Sequence, residues 1–226
     1  MTEPGGEPAD PRLARPHPVR VLDGAVSYLD IRYATVTGWR PLTLDLHLPL
    51  DAGGPLPVVV YAHGGGFVGG SKEMGPWATL PACGIAVASV GYRLAGEVAH
   101  PGPVEDVLAA IRWVRVRGGE YGLDPGRVAG WGSSREDQLA AVSVMTAARR
   151  ARYRPPVHLS HGDGDRRCGL AQSRRLHEVV LAAGGRSELL VVPGGDHADP
   201  VFATPAVVDP AVEFLRAAWA RHDPLE

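Results

Sequence analysis

Three short stretches carry a hydroxyl, carboxylates and an imidazole in chain order: Gly130-Trp131-Gly132-Ser133-Ser134, then His161-Gly162-Asp163-Gly164-Asp165, then Gly194-Gly195-Asp196-His197. Brought to one place, such groups do nucleophilic chemistry. The imidazole takes the hydroxyl proton, and a carboxylate orients the imidazole and stabilises its cationic form. A fourth stretch, His63-Gly64-Gly65-Gly66-Phe67, supplies no nucleophile. Its glycines let the backbone turn with N–H groups converging on one point, a nest suited to an oxyanion.

The elements that must position these groups follow from hydrophobic pattern. Apolar, β-branched runs at 57–62, 85–90, 127–131, 157–160 and 187–192 predict strands buried on both faces of a parallel sheet. The four stretches above each begin where the first, third, fourth or fifth run stops, so all lie at the carboxyl edge, where open α/β sheets place their ligands. The serines have the strand–turn–helix context of a nucleophile elbow. Between the runs, Val104, Val107, Leu108, Ile111 and Val114 keep helical spacing, as do Leu176, Val179 and Val180, and Val208, Val212, Leu215 and Trp219. Ahead of them, Leu29, Ile31 and Tyr33 alternate with Tyr28, Asp30 and Arg32. Leu42, Leu44, Leu46 and Leu48 alternate likewise with Thr43, Asp45 and His47, predicting an antiparallel lead-in turned at Thr37-Gly38. The alternation of strands and helices predicts an α/β fold.

With these motifs in order, the chain resembles an α/β-hydrolase of the carboxylesterase branch, similar to the feruloyl-esterase-like and hormone-sensitive-lipase-like enzymes. The likeness runs over 58–134 and from 156 onward. It includes Gly69-Gly70-Ser71-Lys72, Val90-Gly91-Tyr92-Arg93-Leu94, Val104-Glu105-Asp106 and Tyr121-Gly122-Leu123-Asp124-Pro125. The resemblance implies a mostly parallel sheet flanked by helices, Ser134 as nucleophile, His197 as general base and Asp165 as its partner. It implies an oxyanion hole from the backbone N–H groups of Gly65, Gly66 and Arg135, a small-molecule ester or acyl substrate, and no cofactor. His63 is expected to brace the oxyanion loop.

Two features depart from that family. Its elbow reads Gly-x-Ser-x-Gly, whereas Arg135, Glu136 and Asp137 follow Ser134. Ser134-x-x-Asp137 and Ser133-x-x-Glu136 also fit capping boxes, which leaves open a reading of Ser134 as a helix cap. Only 31 positions separate Ser134 from Asp165, and 138–152 supplies a helix or a strand but not both. The fold is therefore expected to lack the lid and one strand. Closing that gap would move the acid and base strands inward by about 4.8 Å. A partner's strand would repair it, and unpaired edges favour association, so a homodimer is expected.

Composition bounds the rest. A chain of 226 residues, 45% hydrophobic and 21% charged, with 23 basic against 25 acidic side chains, suits one domain, read as 19–226 behind a Pro-rich tail at 1–18 that holds five of the 21 prolines. A net charge of -2 without a basic cluster gives no footprint for nucleic acid or an anionic membrane. With no targeting or spanning pattern, a cytoplasmic location is expected. Cys83 and Cys168 read as idle thiols, and Trp77, Trp113 and Trp131 as packing residues. His100 and His161 read as structural loop histidines, and Arg166 and Arg167 as solvent-facing. Asp163, Asp165, Asp196, His197 and Asp199 match no metal-ligand spacing, so no metal is expected. Two functions remain: a serine hydrolase of carboxylic esters, or a degenerate hydrolase fold that binds a small molecule or partner, or runs non-hydrolytic acid-base chemistry such as a cyclisation.

Overall fold

Alternation builds the lead-in, and the computed structural model describes residues 16–51, 53–132, 156–182 and 184–220. Strands β1 (Ala25–Ala34) and β2 (Leu42–Pro49) pair antiparallel. Between them the Trp39 N–H donates to the Val36 carbonyl at 3.0 Å, and Gly38 takes the left-handed φ of 84° that this turn requires. The alternation expected along β1 breaks at a register shift between Tyr28 and Ile31, where Asp30 has φ 55°. The bulge brings Tyr28 against the same core as Ile31, so Tyr28 is not on the outer face.

The apolar runs form β3 (Leu56–Ala62), β4 (Ala86–Gly91) and β5 (Leu123–Gly132) in a five-stranded sheet of order β1-β2-β4-β3-β5. β3 pairs parallel with both β4 and β5, and β2 pairs antiparallel with β4. Side-chain alternation splits β3 between two cores. Val58 and Val60 join the cluster under α1 (Gly102–Arg117), while Val59 and Tyr61 join the one under α3 (Pro205–Trp219). A strand covered on both faces has no need of polar positions, hence its continuous apolar run.

Strands β6 (Val157–Gly162) and β7 (Ser187–Val192) pair parallel in a separate two-stranded sheet. Helix α2 (Ala171–Ala182) covers it through Leu176 and Val180. Val179, expected on the packed face, is 41% exposed. The buried stripe runs through Ser173, Leu176 and Val180, and Val179 falls beside it. In α3 the expected face is buried throughout: Val208, Val212, Leu215 and Trp219.

The architecture is that of the α/β-hydrolases, a central mixed sheet flanked by helices and without a lid insertion among the described residues. No described strand lies between β5 and β6. The inward shift of the acid and base strands does not occur: β6 does not pair with β5, and α3 spans both sheets instead. The first part of the expected tail, 1–15, and the segment 138–152 lie outside the described residues. No helix among the described residues is long and apolar enough to cross a membrane.

Candidate active site

Register decides which strand ends meet. Ala62 of β3 is paired with Gly132 of β5, so β5 ends beside the point where the His63-Gly64-Gly65-Gly66 loop leaves the sheet. Gly162 of β6 is paired with Val192 of β7, so the loops carrying Asp165 and His197 also leave together.

The glycine loop is fixed from beneath. Gly65 has φ 134°, and an added Cβ there would collide with the carbonyl of Gly69; one at Gly70 would strike the Gly64 carbonyl and the His63 ring. The His63 imidazole is 1% exposed, stacks on Tyr92 at 4.3 Å and 12°, and donates from Nδ1 to the Gly64 carbonyl at 3.0 Å. The Tyr92 hydroxyl donates to the His63 carbonyl at 2.6 Å. Burial pushes His63 below its usual pKa, so it stands as a neutral brace. Tyr92 is anchored by its neighbour. The guanidinium of Arg93 meets the Asp106 carboxylate of α1 in a buried two-pronged pair at 2.8 and 2.7 Å, and the Arg93 N–H adds a third bond at 2.9 Å.

The second pair of loops is stapled by backbone proximity. An added Cβ on Gly162 would collide with the Gly195 carbonyl, and the Gly194 N–H donates to Asp163 at 2.6 Å. His197 Nδ1 lies 2.9 Å from Asp165 Oδ2, and the N–H groups of Arg167 and Cys168 each donate to Asp165 Oδ1 at 2.8 Å. Burial alone would raise the Asp165 carboxyl. The donations from the Cys168 N–H, the His197 ring and the Arg167 N–H outweigh it and hold the group below the ordinary carboxylate range. Asp165 is therefore anionic where it meets the imidazole. The same oxygen, Oδ2, lies 3.5 Å from Nε2 of a buried histidine, His161, which sequence reasoning left as a structural loop residue. The only sequence signal for it was its place four residues before Asp165.

Gly65, Gly66, Gly132, Asp165 and His197 all face one cavity of about 790 Å³. Arg167 and Asp199 add polar groups to it, while Tyr61, Trp131, Val207 and Leu215 make an apolar side. Trp131 and Trp77 pack against the core under α3, and Trp113 against Tyr121, as packing residues do. Arg166 and Arg167 are exposed, Cys168 is buried and Cys83 is half-buried. Among the described residues no group of three or more His, Cys, Asp or Glu has a metal-holding arrangement. Ser134 and Arg135, together with Ser133, Glu136 and Asp137, lie outside the described residues.

The BD-FAE family model matches residues 44–152. Carboxylesterase NlhH of Mycobacterium tuberculosis is 44% identical over 112 residues, which cover 48% of this chain and 32% of that protein. Esterase LipI of the same species is 37% identical over 145 residues, covering 62% of this chain and 42% of that protein. The chain thus matches well under half the length of these curated relatives. A truncated form of carbohydrate esterase from gut microbiota has a similar fold, with a TM-score of 0.76 at 18% identity, covering 92% of this chain and 100% of that one.

Proposed function

This chain is an α/β-hydrolase-fold protein of the esterase type, and from that premise we propose that it hydrolyses carboxylic esters through Ser134, His197 and Asp165. The observation that carries this reading is the Asp165–His197 contact of 2.9 Å at the rim of the cavity that Gly65 and Gly66 also line. With Nδ1 turned to the carboxylate, Nε2 is the nitrogen that takes the Ser134 proton as Oγ attacks the ester carbonyl. The N–H groups of Gly65, Gly66 and Arg135 receive the oxyanion, each donor lowering the barrier by about 3 to 4 kcal/mol. The tetrahedral intermediate expels the alcohol with the proton held on His197. Water, deprotonated by His197, then attacks the acyl-enzyme and releases the acid. The substrate is a small-molecule ester.

A second reading is favoured by Arg135, Glu136 and Asp137 standing where the elbow's small residue and glycine would be. In it Ser134 caps a helix, and the cavity serves binding or non-hydrolytic acid-base chemistry. Turnover of short p-nitrophenyl esters by the wild type, Ser134→Ala and His197→Ala, with protein mass after fluorophosphonate treatment, separates the two. Activity lost in both variants and a single adduct on Ser134 are expected. No turnover and no adduct would favour the second reading.

The homodimer belongs to the same proposal. Among the described residues β5 pairs only with β3 and β6 only with β7, and a strand edge of this kind favours pairing with a second copy. Light scattering across a concentration series is expected to give twice the chain mass of 23.9 kDa, and a monomer at every concentration would sink it.

A further inference from the structure

Asp165 lies between two imidazoles. His197 takes Oδ2 at 2.9 Å, and His161 Nε2 stands 3.5 Å from the same oxygen. The tautomer of His161 follows from its other partners. Nε2 lies 2.8 Å from the Cys168 carbonyl, which only accepts, so Nε2 carries the proton. Nδ1 is then the acceptor, and the hydroxyl of Ser173 in the first turn of α2 donates to it at 2.7 Å. Both His161 and Ser173 are buried, at 8% exposure each. The Cys168 carbonyl closes the turn whose N–H groups, those of Arg167 and Cys168, grip Asp165 Oδ1.

We propose that His161 is a positioning residue: fixed by Ser173, it clamps the 165–168 turn through the Cys168 carbonyl so that Asp165 presents Oδ2 to His197. This rests on the ester-hydrolase reading for its consequence, though not for its geometry. The charged and titratable groups around the pair are Asp163, Arg166 and Arg167 on the loop after β6, Asp196 and Asp199 on the loop after β7, and Cys168 beside His161.

The test compares wild type, His161→Leu, His161→Gln and Ser173→Ala on p-nitrophenyl acetate, with thermal unfolding and the NMR resonance of the His197 Nδ1 proton in each. His161→Leu is expected to lower kcat about 10- to 100-fold, with KM nearly unchanged. The NMR resonance of the His197 Nδ1 proton should lose the downfield position that a close carboxylate acceptor gives it. Glutamine sets an amide N–H where Nε2 was and should restore part of both. Ser173→Ala, a small change, should fall between. Wild-type kcat and a wild-type His197 Nδ1 proton resonance in His161→Leu and Ser173→Ala would overturn the proposal. So would losses that track unfolding alone, with glutamine no better than leucine. If the wild type neither turns over ester nor takes the fluorophosphonate, the ester-hydrolase reading fails separately, and the His197 Nδ1 proton resonance alone decides the clamp.

Discussion

Gly65 shows how tightly single residues are constrained near the cavity. Its φ of 134° disfavours any side chain, and the Gly69 carbonyl occupies the place of a Cβ. Gly65→Ala must therefore move the loop or the Gly69 backbone, at a cost of about 1 to 3 kcal/mol. If the Gly65 N–H serves an oxyanion, the same change should lower kcat roughly 100- to 1,000-fold with a smaller effect on KM. Urea unfolding and initial rates on one preparation read both, and wild-type rates in a folded Gly65→Ala protein would remove this N–H from the mechanism. That Gly65, Gly66, Asp165 and His197 would reach one edge of the fold was legible in the sequence, because each lies in a loop that follows an apolar run. The Ser173–His161 pair and the Asp163 bond to Gly194 were not, because they join side chains across loops whose approach no local spacing encodes. Ser134 and Arg135 remain readings of the sequence.

Strands were read better than their surroundings. Every apolar run became a strand, since period and β-branching are local properties, and the turn at Gly38 followed from its glycine. What alternation could not tell is which faces are later covered. Asp45 and His47, the polar positions in the β2 alternation, are buried at 3% and 2% exposure. Distant groups cover them: Lys72 reaches Asp45 at 2.6 Å, while Trp77 stacks on His47 at 4.5 Å and Ser27 lies 2.8 Å from its Nδ1. Burial lowers His47 from 6.5 to about 4, and His158 of β6 likewise. Between those pH values the unfolded chain binds protons that the folded one refuses. Stability is thus complete above about pH 6.5 and falls as pH drops toward 4, by roughly 3 kcal/mol for each histidine. His47→Asn keeps an acceptor near Ser27 without a titrating ring, and urea unfolding at several pH values should give it a flatter acid slope than the wild type. Equal slopes would exclude His47 as a source.

At the scale of the molecule, the pair that carries the proposed chemistry rides on the smaller sheet, while the glycine loop rides on the larger. Helix α3 is the tie between them. Its Val208, Val212 and Leu215 pack with Val59, Tyr61 and Ala129 of the larger sheet. Phe214, in the same cluster, turns its ring to His158 of β6 at 5.5 Å and lies under the guanidinium of Arg186 just before β7 at 5.9 Å. Two sheets that share no ladder among the described residues hold their spacing through such side chains. Phe214→Ala should cost about 3 to 5 kcal/mol. The loss should be uneven: amides of β6 and β7 should lose more hydrogen-exchange protection than those of β3 and β4, because the larger sheet keeps its own ladder and the α1 core. Esterase turnover, where present, should then fail at a lower urea concentration than the fluorescence of Trp113, which lies in that core. Uniform loss of protection, with turnover and fluorescence failing together, would mean that the gap between β5 and β6 is bridged by more than α3.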